Sequence, residues 1–262
     1  MRKFVGSIVM SAAVLAAASS ASFATLYVNE PFNYPNGNLV GNTPAVGGIW
    51  SAHSGAGAVP IQVTGGEAVV AQGSGSREDA NVALNHTQGA GETLYAALTL
   101  RTSAGGPLAG DVVFSHFLVG TSGFNGRLWY TTAPDGRDFS LAVGGSNSTS
   151  VASSGATAWL NGFNFGMTLR VVVSYDFDSG DSRLWVNPAS MGSTNVTYDG
   201  AFSDAINSFA LRQANPTDPD PTSFIDNLCV ANSFGDALNC VPEPATLGLV
   251  AMGVLALVRR RR

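Results

Sequence analysis

Apolar and polar residues alternate with a period of two along most of this chain. Leu94, Ala96, Leu98 and Leu100 alternate with Tyr95, Ala97, Thr99 and Arg101. Leu169, Val171, Val173 and Tyr175 alternate with Arg170, Val172 and Ser174. That period sends successive side chains to opposite faces of a strand. The stretch from Val112 to Val119 is apolar in both phases, which predicts a strand buried on both sides. Shorter candidate strands cover 61–64, 67–71, 80–85, 127–131, 137–143, 183–186, 207–212 and 224–230, with Gly, Asn, Asp and Pro between them. No long helical period interrupts the series. About a dozen strands with turn signals between them predict an all-β fold. The expected architecture is a two-sheet antiparallel jelly-roll sandwich, folded as one domain over residues 25–231.

Two segments break the alternation, one at each end. Arg2 and Lys3 precede an apolar run from Phe4 to Ala18, and Ser22, Phe23 and Ala24 supply small residues at the −3 and −1 positions of a cleavage site. This is the pattern of a secretory signal peptide over residues 1–24, in helical form. At the other end stand Val241, Pro242, Glu243 and Pro244, then a fourteen-residue apolar run from Ala245 to Val258, then Arg259, Arg260, Arg261 and Arg262. The prolines keep their stretch extended, and Pro244 suits the first turn of a helix. Fourteen helical residues rise roughly 21 Å, short of the ~30 Å hydrocarbon core of a bilayer. The segment is therefore a short, marginal membrane helix, with the arginines as a positive stop on the cytoplasmic side. Residues 232–241 read as a linker before this 242–262 sorting and anchor segment.

Charge sharpens the division. The whole chain has thirteen Lys and Arg against eighteen Asp and Glu. The ends hold six of the basic residues but only Glu243 among the acids. The body therefore has seven Arg against seventeen acids, a formal charge of −10. Phosphate binding needs Lys/Arg clusters, so nucleic acid is not expected as a partner. With positive charge held inside at both ends, the acidic body lies outside the cytoplasm.

The tail, taken as Pro242, Glu243 and Pro244, a short apolar helix and a terminal Arg cluster, resembles the PEP-CTERM sorting domain. The resemblance implies recognition by an exosortase-type membrane protease. It also implies a Gram-negative-type cell and association with exopolysaccharide or biofilm matrix. The body resembles the LamG-like, concanavalin-type jelly rolls. Residues Glu30 to Leu39 with Gly47 to Trp50 look like the opening strand and loop. Val171 to Phe177 with Ser182 to Pro188 look like the central hairpin, and Phe224 to Val230 like the closing strand. The fold hosts sugar binders, hydrolases and structural domains alike, so it does not decide function.

Candidate chemistry is sparse. Cys229 and Cys240, the only cysteines, read as a disulfide in an exported chain. It would contribute about 2.5–3 kcal/mol by closing its loop. Asp176, Asp178 and Asp181 resemble a fragment of a calcium loop but lack its later ligands, Asn187 standing where a Glu belongs. They read as a hairpin turn at Ser179 and Gly180, with the carboxylates in solvent. Asp218, Asp220 and Asp226 are either cation ligands at a sandwich edge or a solvated loop. His53, His86 and His116 are isolated in sequence, and His116 reads as a satisfied core histidine. Strand tryptophans usually belong to the core, which leaves Trp159, in the loop from Ala158 to Gly162, as the sugar-stacking candidate. Gly144 to Thr157 reads as a loop.

No cofactor and no metal are expected, and no catalytic residue is assigned. The reading is a non-enzymatic, exported envelope or matrix protein. It is transiently anchored in the inner membrane and sorted through its tail. The alternatives are a carbohydrate-binding module, with polysaccharide as partner, and a secreted glycan hydrolase.

Overall fold

The period-two segments become two antiparallel sheets. The structure, a computed structural model, describes residues 25–145, 150–200, 203–213 and 219–240. The expected signal helix over 1–24 lies outside these residues. So do the tail residues Val241, Pro242, Glu243 and Pro244, the short membrane helix, and Arg259, Arg260, Arg261 and Arg262.

Strands are numbered in chain order. The larger sheet runs in space β14 (Val196–Tyr198), β13 (Ser182–Val186), β12 (Thr168–Asp176), β7 (Thr93–Ser103), β16 (Thr222–Ala231), β5 (Glu67–Ala71), β4 (Gln62–Thr64), β2 (Gly37–Asn38). Its ninth strand, β1 (Leu26–Glu30), pairs with the C-terminal half of β16 on the edge whose N-terminal half takes β5. The second sheet has seven strands. Their order is β11 (Thr157–Ala158), β10 (Ser140–Gly144), β9 (Gly123–Thr131), β8 (Val112–Val119), β15 (Ser208–Leu211), β6 (Asp79–Ala83), β3 (Trp50–Ser54). The chain crosses between sheets at β2 to β3, β3 to β4, β5 to β6, β6 to β7, β7 to β8, β11 to β12, β14 to β15 and β15 to β16. This exchange makes a jelly-roll sandwich, as the alternation predicts.

The core fills the space between the sheets. Leu98 and Leu100 of β7, Val171 and Val173 of β12 and Ile225 of β16 face Phe117 of β8, Tyr130 of β9 and Phe209 of β15, all fully buried. Val112 to Leu118 is buried throughout, as expected for a strand covered on both faces. Tyr130 satisfies its hydroxyl inside the core through Thr102 Oγ1 at 2.9 Å and Ser223 Oγ at 2.7 Å. A second buried polar node locks the N-terminal loop. Glu30, with no exposed surface, accepts from Trp50 Nε1, Tyr34 Oη and the Phe32 amide, each at 2.6 Å. Burial pushes its carboxyl up, and these three donors oppose that shift.

Two local expectations are corrected. Residues 232–240 are packed structure, not a linker. Ser233 caps helix α2 (Phe234–Asn239), and Phe234 and Ala237 bury against Ala97, Val172, Trp185 and Ala231 on the outer face of the larger sheet. The Cys229–Cys240 disulfide fastens the end of that helix to β16. The run from Gly144 to Thr157 is likewise not all loop. Ser150 caps one helical turn, α1 (Val151–Ser154), and Val151 packs with Trp129, Val113 and Ala142 on the outer face of the smaller sheet.

Replacing the Glu30 carboxylate by an amide puts two donors against the Trp50, Tyr34 and Phe32 donors. Glu30→Gln is expected to lose roughly 2–3 kcal/mol of stability, measured by urea unfolding. An unchanged midpoint and slope would show that the node does not hold the loop.

Candidate functional site

Three strands present polar rows on the outer face of the larger sheet. Thr93 on β7 sits opposite Asp176 on β12, and Tyr95, Ser174 and Arg183 form the next row across β7, β12 and β13. Ala97, Val172 and Trp185 form the third row and are covered by α2. Between α2 and the β12–β13 turn lies a concavity of about 230 Å³, bordered by Tyr95, Ser174, Asp176, Asp181, Arg183 and Trp185. The Trp185 indole is held by its Nε1 donating to the Met191 carbonyl at 3.2 Å and by Phe234, ring centroids 5.1 Å apart. Tyr95 meets Phe234 edge-on at 5.8 Å. Burial raises its phenol above the usual value, so it remains a protonated donor at neutral pH.

The turn itself is as the sequence suggests, but its carboxylates do not simply face solvent. Asp176 accepts from Thr93 Oγ1 at 2.7 Å, from the Ser179 amide and hydroxyl, and from the Asp178 amide. Burial alone would raise its carboxyl, and these donors outweigh it and hold it below the usual range. Asp178 accepts from the Gly91 amide, and Asp181 from the Gly200 amide at 3.0 Å. The carboxylates thus fix the loop backbone. Arg183 is different: it is exposed, and among the described residues it makes no ion pair or hydrogen bond.

The histidines are not isolated in space. His53 on β3 and His116 on β8 lie with ring centroids 5.8 Å apart, although β6 and β15 stand between their strands. Phe124 stands 4.8 Å from His116 and 6.5 Å from His53, with the Arg127 and Arg212 guanidiniums 5.5 and 5.7 Å from its ring. His116 is not the satisfied core histidine expected: it is fully buried, and among the described residues neither of its ring nitrogens has a hydrogen-bond partner. Burial, then Arg127, Arg212 and His53, push it well below 6.5, so it is neutral. His53 is also pushed down, by burial and by Arg212 against the opposing charge of Asp79. His86 stacks on Tyr27 at 4.4 Å and shares Glu92 with the Tyr27 hydroxyl.

The other sequence candidates stay apart. Trp159 is half-buried against the main core instead of offering an open ring, and Trp50, Trp129 and Trp185 are buried. Asp226 on β16 is engaged by the amide and side chain of Asn227, Asp220 is exposed, and Asp218 lies outside the described residues. Among the described residues, no three His, Cys, Asp or Glu side chains are grouped to hold a metal.

The described chain ends at Cys240, and residues 241–262 match the family profile of the PEP-CTERM protein-sorting motif. The chain carries a PEP-CTERM motif. No curated protein matches it in sequence. Similar solved structures include the Emp47p carbohydrate recognition domain, at 12% identity and a TM-score of 0.49, covering 82% of this chain and 99% of that one. The binding domain of botulinum neurotoxin DC in complex with rat synaptotagmin II gives 8% and 0.49, covering 78% and 48%. A sialidase gives 17% and 0.48, covering 72% and 17%. The chain thus spans about half of the neurotoxin chain and about a sixth of the sialidase, and no activity is carried over from these molecules.

The PEP-CTERM motif begins one residue after the disulfide that joins the end of α2 to β16. Among the described residues, no helix is long and apolar enough to cross a membrane.

The histidine pair generates a pH prediction. A histidine whose folded pKa is depressed adds stability that is present above its unfolded value and is lost as pH falls below it. Stability carried by His53 and His116 should therefore decline as pH drops below about 6.5. In urea unfolding at pH 7 and pH 5.5, His116→Gln should show a smaller decline than the parent. Equal declines would contradict a neutral, depressed His116.

Proposed function

We propose that this chain is an exported, non-enzymatic envelope or matrix protein. The PEP-CTERM match over residues 241–262 carries the reading. In it, residues 1–24 direct export, the sandwich is displayed outside the cytoplasm, and the apolar run after Pro244 holds the chain transiently in the inner membrane. An exosortase-type membrane protease then recognises Val241, Pro242, Glu243 and Pro244 and removes the Arg259 to Arg262 end.

Several observations support a body that binds or builds and does not turn over substrate. The disulfide suits an oxidising compartment. The His86–Glu92 contact, which has the form of a base and its orienter, is closed by stacking on Tyr27 and by the Tyr27 hydroxyl on the same carboxylate. His53 and His116 face arginines and a phenylalanine, and among the described residues no nucleophile is hydrogen-bonded to either. The acidic body supports the absence of nucleic acid among its partners.

Intact-mass measurement of the exported protein should find residues 259–262 removed in cells with the protease and retained in cells lacking it. Retention of all four arginines throughout the exported protein of normal cells would overturn the proposal.

A further inference from the structure

We infer that the concavity between α2 and the β12–β13 turn binds one ring of a neutral glycan. This goes beyond sorting and display: it assigns a ligand class to a site on the larger sheet.

The chemistry of the border carries the assignment. A sugar ring has an apolar C–H face and a rim of hydroxyls, each of which donates and accepts. A site for it needs an apolar or aromatic wall beside fixed donors and acceptors. Tyr95 and Met191 supply the wall, above the buried indole of Trp185. Asp181 and Arg183 lie two apart on one strand edge and face the same side, so an acceptor and a donor stand next to each other, as a vicinal diol requires. Ser174, between Tyr95 and Arg183 in the central row, is the small residue that leaves the floor open.

Preorganisation points the same way. Asp176 is saturated by its own loop, so the turn is rigid, and one Asp181 oxygen is tied to the Gly200 amide. Tyr95 is met edge-on by Phe234 of α2, which the disulfide holds in place. Arg183 is the one border cation, and it is unpaired among the described residues. Two carboxyl side chains, Asp176 and Asp181, face the single Arg183 at the border, an acidic excess that disfavours uronate or sulfated sugars and selects a neutral one. Two other surface concavities among the described residues lack the combination. The trough beside Asn81, Asn85 and His86 has no Trp, Tyr or Phe at its border, and the one at Asn125, Tyr198 and Asp204 has no cation.

The test titrates the exported, oxidised protein with cellobiose, maltotriose, mannobiose, galactobiose and digalacturonate, read by calorimetry. At least one neutral probe should bind. Arg183→Ala, an exposed position, and Ser174→Val, which fills the floor with a strand-favouring residue, should each weaken that binding about tenfold or more with the unfolding midpoint kept. Absence of binding by every neutral probe, binding of digalacturonate alone, or undiminished binding by both variants would overturn the site. None of these outcomes touches the sorting proposal, which is read from mass and location.

Discussion

The fold depends on the position of its last strand. β16 lies inside the larger sheet, with β7 along one edge and β5 and β1 sharing the other. Neither face of that sheet is complete until residues 222–231 are in place. Such pairing joins segments far apart in sequence, Glu30 with Leu228 and Tyr95 to Ser103 with β16 on either side of its bulge. Contacts of this kind form late and slowly, because loop closure opposes them until the strand docks. The bulge between Asp226 and Cys229, with Asn227 at φ 50°, bends β16 where Arg170 Nη1 meets the Asn227 carbonyl at 2.9 Å. The Arg170 guanidinium also donates to the Ala237 and Leu238 carbonyls at 3.1 Å. One side chain therefore joins β12, the bulge and the end of α2.

This arrangement links structure to address. The disulfide and the Arg170 contacts hold α2 on the sheet, and the PEP-CTERM motif starts immediately beyond. The same helix packs against Tyr95 and Trp185, two residues of the concavity. Closing the chain and fixing the last residue before the motif are thus consequences of one packed corner.

Legibility in the sequence followed the range of the interactions. Strands β7, β8 and β12 were readable because alternation is local, and the β12–β13 turn because Ser179 and Gly180 are turn formers. The two cysteines were readable because there are only two. Helix α2 was not, since six residues carry no period and the helix exists through Ser233, Phe234 and the disulfide. The His53–His116 pair was hidden by two intervening strands that only the sheet order supplies. Trp185 was visible as an aromatic on a strand. Its place beside Arg183 and Ser174 depends on register, and that is fixed by pairing across β7, β12 and β13. The carboxylates of the turn looked solvated because their partners are backbone amides, which sequence does not reveal.

The central claim is that this corner is closed by oxidation outside the cytoplasm. Its most direct test is non-reducing peptide mapping of the exported protein beside a form lacking residues 1–24 and kept in the cytoplasm. The account predicts a peptide linked through Cys229 and Cys240 in the exported protein and free thiols in the retained form. Free thiols at both positions in the exported protein would contradict it.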